Sequence, residues 1–112
     1  MTLETDVAIE RKSGLDELAG NLGQDRSRFE REFLRAKANG IKVFLIVEGG
    51  SYGDIYLHNY RSQLPPKALM ASLMSWQVRF NITIIFCEPE NTPRLIHQIL
   101  YYAAREQLLN GR

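Results

Sequence analysis

The chain has 112 residues, 45% of them hydrophobic, and its 14 Lys and Arg nearly balance its 13 Asp and Glu, for a formal charge of +1. That apolar share excludes a disordered chain, the length suits one domain with a single core, and the near-neutral charge excludes a global nucleic-acid signature. The lone cysteine, Cys87, excludes an internal disulfide and points to a reducing, intracellular setting, and no apolar stretch approaches the ~20 residues of a membrane span.

The first apolar run, Asp6-Val7-Ala8-Ile9, continues into Glu10-Arg11-Lys12 and predicts a strand over 6–12. Ser13 is placed to cap a following helix, with Asp16 in its first turn, where negative charge is favoured. Leu15, Leu18, Ala19 and Leu22 give that helix its buried stripe, and Gly23 is read as its end. Asp25 to Asn39 predicts a second helix with Phe29, Phe33 and Ala36 inward and surface pairs Arg26–Glu30 and Arg28–Glu32. Ile41 to Val47, bounded by Gly40 and by Glu48-Gly49-Gly50, reads as a strand covered on both faces. Ser51 to Tyr60 reads either as a short helix with Ile55 and Tyr56 inward or as a loop with one helical turn.

Pro65-Pro66 breaks the chain and opens a helix. On it Leu69, Leu73, Trp76 and Phe80 form one stripe, widened by Met70 and Met74. Ile82 to Cys87 is a further apolar strand. Thr92-Pro93 then starts a last helix by a capping hydroxyl and a first-position proline. Ile96, Ile99, Leu100 and Ala103 are its stripe, and Gly111 its stop. Alternating strands and helices predict an α/β fold with mostly parallel central strands and helices on the faces.

Chemistry-bearing residue types concentrate in Glu10-Arg11-Lys12-Ser13-Gly14-Leu15-Asp16. On a strand, Ala8, Glu10 and Lys12 share one face, while Val7, Ile9 and Arg11 share the other. Glu10 and Lys12 are then about 7 Å apart. A hard cation at the carboxylate and an ammonium beside it suit metal-assisted phosphodiester hydrolysis. The same pair can equally be a plain ion pair on an exposed strand, Arg11 can pair with a nearby acid, and Asp16 can be an ordinary first-turn charge.

The string Val7-Ala8-Ile9-Glu10-Arg11-Lys12-Ser13, then Asp16 and Leu18, resembles the core of the XPF-type nuclease domain, a restriction-endonuclease-like fold. Asp25 to Glu32 resembles that family's following helix, and Lys42 to Gly49 its next strand. Tyr60-Arg61-Ser62-Gln63, Pro66-Lys67-Ala68 and Trp76 are similar to small bacterial and phage-borne members. The resemblance implies one nuclease domain over 1–112, with a mixed sheet flanked by helices, acting on branched or flapped DNA with Mg2+ or Mn2+. It places Glu10 on the metal and Lys12 beside the attacking water and the phosphate, with Arg11 and Asp16 completing the catalytic motif. It also implies a homodimer and a cytoplasmic protein with no membrane partner.

One departure stands out. The family's earlier Gly-Asp, whose aspartate is a metal ligand, is not among the nine residues before Glu10, so the fold is expected to lack its first strand or strands. Asp6 is about 13 Å from Glu10 by strand rise, too far to share an ion, and Glu4 is no closer. Glu48 at a strand end can supply a carboxylate or merely cap the strand. Arg26, Arg28, Arg31, Arg35 and Lys37 suggest DNA backbone contacts, as do Arg61 and Lys67, although interleaved acids also suit a solvated helix face. His58 and His97 lack metal-ligand spacing, Cys87 reads as a small buried hydrophobe, and Tyr101-Tyr102 suits an interface or simple packing.

Overall fold

The computed structural model describes residues 6–109, so Glu4 and Gly111 lie outside the described residues. The elements are β1 (Val7–Lys12), α1 (Leu15–Gln24), α2 (Arg26–Ala38), β2 (Lys42–Glu48), α3 (Tyr52–Tyr56), α4 (Pro66–Phe80), β3 (Thr83–Cys87), a 3-10 turn (Pro89–Asn91) and α5 (Thr92–Leu109). The described strands pair parallel throughout, in the order β1-β2-β3. A parallel sheet flanked by helices is consistent with the restriction-endonuclease-like class.

Alternation along the strands decides the layering. Ala8 lies opposite Val43, Glu10 opposite Leu45 and Lys12 opposite Val47. This face, which we call the front, packs against the buried stripes of α1, α2 and α4. Phe29, Phe33, Trp76 and Phe80 seal α2 onto α4, with the Phe33 and Trp76 rings edge-on at 5.1 Å. Full burial of each such side chain is worth about 1.5–3 kcal/mol. The back face carries Val7, Ile9, Arg11, Phe44, Ile46 and Glu48. Among the described residues the helix against it is α5, whose apolar residues Ile96, Ile99, Leu100 and Ala103 are all only half-buried.

Two glycines shape the junction between β1, β2 and α1. Gly14 sits at the start of α1 with φ 154° and ψ −179°, a region essentially reserved for glycine. Gly50 has φ 81°, and a Cβ there would stand 2.9 Å from Leu15 Cγ. The turn after β2 therefore closes directly onto the first turn of α1.

Several local expectations are corrected. Ser13 does not cap α1; Gly14 holds that position, and the Ser13 hydroxyl donates to Glu17 Oε2 at 3.1 Å. Gly23 does not end α1, which runs to Gln24 and closes at Asp25. Ser51 to Tyr60 contains the short helix α3, but Tyr56 faces solvent while Ile55 is fully buried. Met74 is exposed. Arg28 pairs with Asp25 at 3.6 Å instead of Glu32, whereas the Arg26–Glu30 pair forms at 3.4 Å. Thr92 opens α5, yet its hydroxyl donates across the sheet end to Glu48, whose buried carboxylate requires a donor.

Candidate active site

The end of β1 divides its three charged residues between the two faces of the sheet. On the front, Lys12 is buried, and its ammonium lies 4.0 Å from the centroid of the Phe29 ring. The Arg28 guanidinium lies over the same ring at 5.3 Å. One aromatic quadrupole thus holds two cations that are sixteen positions apart in the chain. Lys12 also lines a small void with Asn21, Phe29, Phe33 and Trp76. The Asn21 Oδ1 atom is buried without a hydrogen-bond partner among the described residues. Glu10, on the same face, is half-buried. Among the described residues, neither Glu10 nor Lys12 makes a side-chain hydrogen bond or an ion pair, with each other or with any other group.

The back face is closed. Arg11 Nε donates to Glu48 Oε1 at 2.8 Å, and Thr92 Oγ1 donates to Glu48 Oε2 at 2.5 Å. Cys87 Sγ lies 3.3 Å from the same threonine hydroxyl. Glu48 is buried, so its two oxygens need these partners. The hydrogen bond from Arg11 is the largest cause holding the Glu48 carboxyl below the usual carboxylate range; the Thr92 bond adds to it and burial opposes it. Glu48 therefore ends its strand as a tied group, on the face opposite Glu10.

Asp16, in the first turn of α1, is half-exposed. Its Oδ1 accepts the Arg61 backbone N–H at 2.7 Å, and its Oδ2 lies 3.7 Å from Arg61 Nε. Asp6, the other upstream acid within the described residues, accepts from Gln107 on α5 at 3.0 Å and turns away from Glu10.

The basic residues fall into two groups. Arg26 donates to Ser72 on α4 at 2.9 Å and pairs with Glu30, whose Oε2 also accepts the Trp76 indole at 2.9 Å and faces Arg79. Lys37 donates to the Arg79 carbonyl at 2.7 Å. These residues knit α2 to α4. Arg31, Arg61 and Lys67 are exposed; Arg31 and Lys67 form no ion pair among the described residues.

The family model of the ERCC4 domain matches residues 1–99. The chain belongs to the ERCC4 domain family. This match identifies an XPF-type nuclease domain. ERCC4 domains are of the structure-specific endonuclease type, act on DNA and generally depend on divalent metal. Neither the comparison with curated proteins nor that with solved structures gave a match.

An ERCC4 domain calls for a test of its metal ligands. Among the described residues there is no group of three or more His, Cys, Asp or Glu that could hold an ion. Glu10 offers a single unpartnered carboxylate on the front face. Mg2+ is commonly held by one or two carboxylates with substrate phosphate oxygens and water as the remaining ligands, so one carboxylate beside a lysine makes a weak site. No helix among the described residues is long and apolar enough to cross a membrane.

The residue that sequence reading missed in this ERCC4 domain is Phe29. It was legible only as an inward-facing aromatic. Its adjacency to Arg28 was the available signal for a cation-bearing ring, but Lys12 reaches it through the fold alone.

Proposed function

We propose that residues 1–112 act as one nuclease domain that hydrolyses phosphodiester bonds in branched or flapped DNA, in the cytoplasm. The observation that carries this reading is the separation of charges at the end of β1. Arg11 is tied up on the back face, while Glu10 and Lys12 share the front face with no hydrogen-bonding or ionic partner among the described residues. Unpartnered charges cost stability, and a substrate that supplies the partners accounts for their presence.

In this reading Glu10 would hold Mg2+ or Mn2+. The ion, when bound, supplies Lewis-acid stabilisation and a water of lowered pKa. Lys12 sets its ammonium against the negative charge that develops on the phosphoryl oxygens. Phe29 keeps that ammonium from wandering, and Arg28, on the same ring, meets a neighbouring phosphate. Arg11 acts indirectly, fastening the end of β1 to β2 and α5 through Glu48 and Thr92. Arg31 and Lys67, without ion pairs among the described residues, contact the DNA backbone, and Arg61 joins them from its place beside Asp16 and Arg26 from its seat on Ser72.

A homodimer accords with the half-covered α5 face, where Tyr101, Tyr102, Leu108 and Leu109 are exposed. A second reading, a non-catalytic DNA-binding or dimerisation subunit of the same fold, is favoured by the single carboxylate on the front face. The experiment that decides is cleavage of a flapped duplex with Mn2+ by the chain and by Lys12→Ala. A loss of at least 100-fold in the variant supports the nuclease reading. Equal activity overturns the proposed site, and DNA binding without cleavage by the unaltered chain establishes the second reading.

A further inference from the structure

The loop between α3 and α4 is unusually well tied for a connection of nine residues. Asn59 bonds back to Asp54 through both its backbone N–H, at 2.8 Å to the carbonyl, and its side-chain amide, at 3.1 Å. His58, at φ 57°, stacks on Tyr60 with centroids 4.4 Å apart, and its Nε2 lies 2.8 Å from the Ser62 carbonyl. The Tyr60 hydroxyl donates to the Leu64 carbonyl at 2.6 Å, and the Leu64 N–H donates to Ser62 Oγ at 3.1 Å. Tyr60 and Leu64 pack on the core from their half-buried positions.

At the apex of this scaffold, Arg61 has a side chain that is 95% exposed. Its backbone is nevertheless fixed by one long-range bond, from its N–H to Asp16 Oδ1. Asp16 lies four residues beyond Lys12, in the turn that follows the end of β1. A side chain this exposed gains little from its 3.7 Å ion pair with Asp16. Most of the five guanidinium donors are left free for an oxyanion of matching geometry.

We propose that Asp16 is a positioning residue: its carboxylate latches the 57–64 loop through the Arg61 backbone and so presents the Arg61 guanidinium to a DNA phosphate next to the Glu10–Lys12 face. This rests on the reading of the chain as a DNA-acting nuclease and gives Asp16 a role other than that of a first-turn charge. It carries a counterintuitive consequence. Removing this acid, which by bulk electrostatics should improve binding of a polyanion, weakens it instead.

The test is a double-mutant cycle on binding of a labelled flapped duplex, measured by fluorescence anisotropy across a salt series without divalent ions. Asp16→Ala and Arg61→Ala are each expected to weaken binding several-fold and to lower the salt slope by ~1. The double variant is expected to lose no more than either single one. Asp16→Asn, which keeps the Oδ1 acceptor, is expected to retain the slope. Independently of DNA, exchange of the Arg61 amide proton is expected to speed at least tenfold in Asp16→Ala and to stay slow in Asp16→Asn. Unchanged amide protection, tighter DNA binding by Asp16→Ala, or additive losses in the double variant would each overturn the latch while leaving the nuclease reading intact. No DNA binding by the unaltered chain would overturn both.

Discussion

The front and back of the sheet meet the same three-residue string and treat it in opposite ways. On the back, Arg11 finds Glu48, Glu48 finds Thr92, and the buried carboxylate has a partner on each oxygen. On the front, Glu10 and Lys12 have no ionic partner among the described residues, although Lys12 is nearly as buried as Glu48. A strand that must both hold together and act on a polyanion can do so by alternation. Arg11 goes to structure and, on the proposed reading, Glu10 and Lys12 go to substrate, because neighbouring side chains point to opposite faces.

The sharpest way to break this contrast is to neutralise each face without changing its shape. Lys12→Met keeps the length of the side chain over Phe29 but removes a buried cation. We expect loss of cleavage by at least 100-fold together with a gain in stability on the order of 1 kcal/mol, read from urea unfolding. A loss of stability instead would place Lys12 among the structural ions.

Glu48→Gln tests the other face and is expected to lower the thermal midpoint at pH 7. The Glu48 carboxyl is held below its usual range in the folded chain. Its stabilising contribution is therefore fully present above the unfolded value of about 4.3 and is lost as the pH falls through the lower, folded one. The gap between the unaltered chain and Glu48→Gln should accordingly shrink on acidification below about pH 4. A gap that stays constant with pH would assign it to packing rather than charge.

The smallest expected effect is that of Phe29→Leu, which keeps an apolar side chain under Lys12 and Arg28 but removes the ring. A cost of about 1–1.5 kcal/mol is expected from repacking and the lost cation–π contacts. Cleavage should fall further than DNA binding, since the Lys12 ammonium loses its seat.

What the sequence made legible was the apolar patterning set by near neighbours, while local polar expectations such as the Ser13 cap and the Arg28–Glu32 pair were not met. The stripes Leu15-Leu18-Leu22, Phe29-Phe33-Ala36 and Leu69-Leu73-Trp76-Phe80 all reach the core as their spacing required, and Pro65-Pro66 opens α4. The face assignment of Glu10, Arg11 and Lys12 followed from strand alternation alone. Partners far apart in the chain were not legible. Thr92 reads as a cap but serves Glu48, 44 positions away, and Asp16 reads as a first-turn charge but holds Arg61, 45 positions away. Polar side chains have several local partners of similar strength, and only the assembled sheet decides between those and a distant one. Tyr56 failed for a related reason: a five-residue helix offers too few turns for its inward face to be read from spacing.

The carboxyl end of α4 adds a point about chemical modification. Its last carbonyls are met by two ammonium groups, Lys37 on the Arg79 oxygen and Lys42 on the Asn81 oxygen, each at 2.7 Å. Burial pushes the pKa of Lys42 down. An acetyl group on either nitrogen would remove a cation that terminates the helix favourably and loosen α4 from α2 and β2. Loss of DNA affinity in a chemically acetylated sample would then combine a loosened helix with the loss of the proposed lysine contacts to DNA.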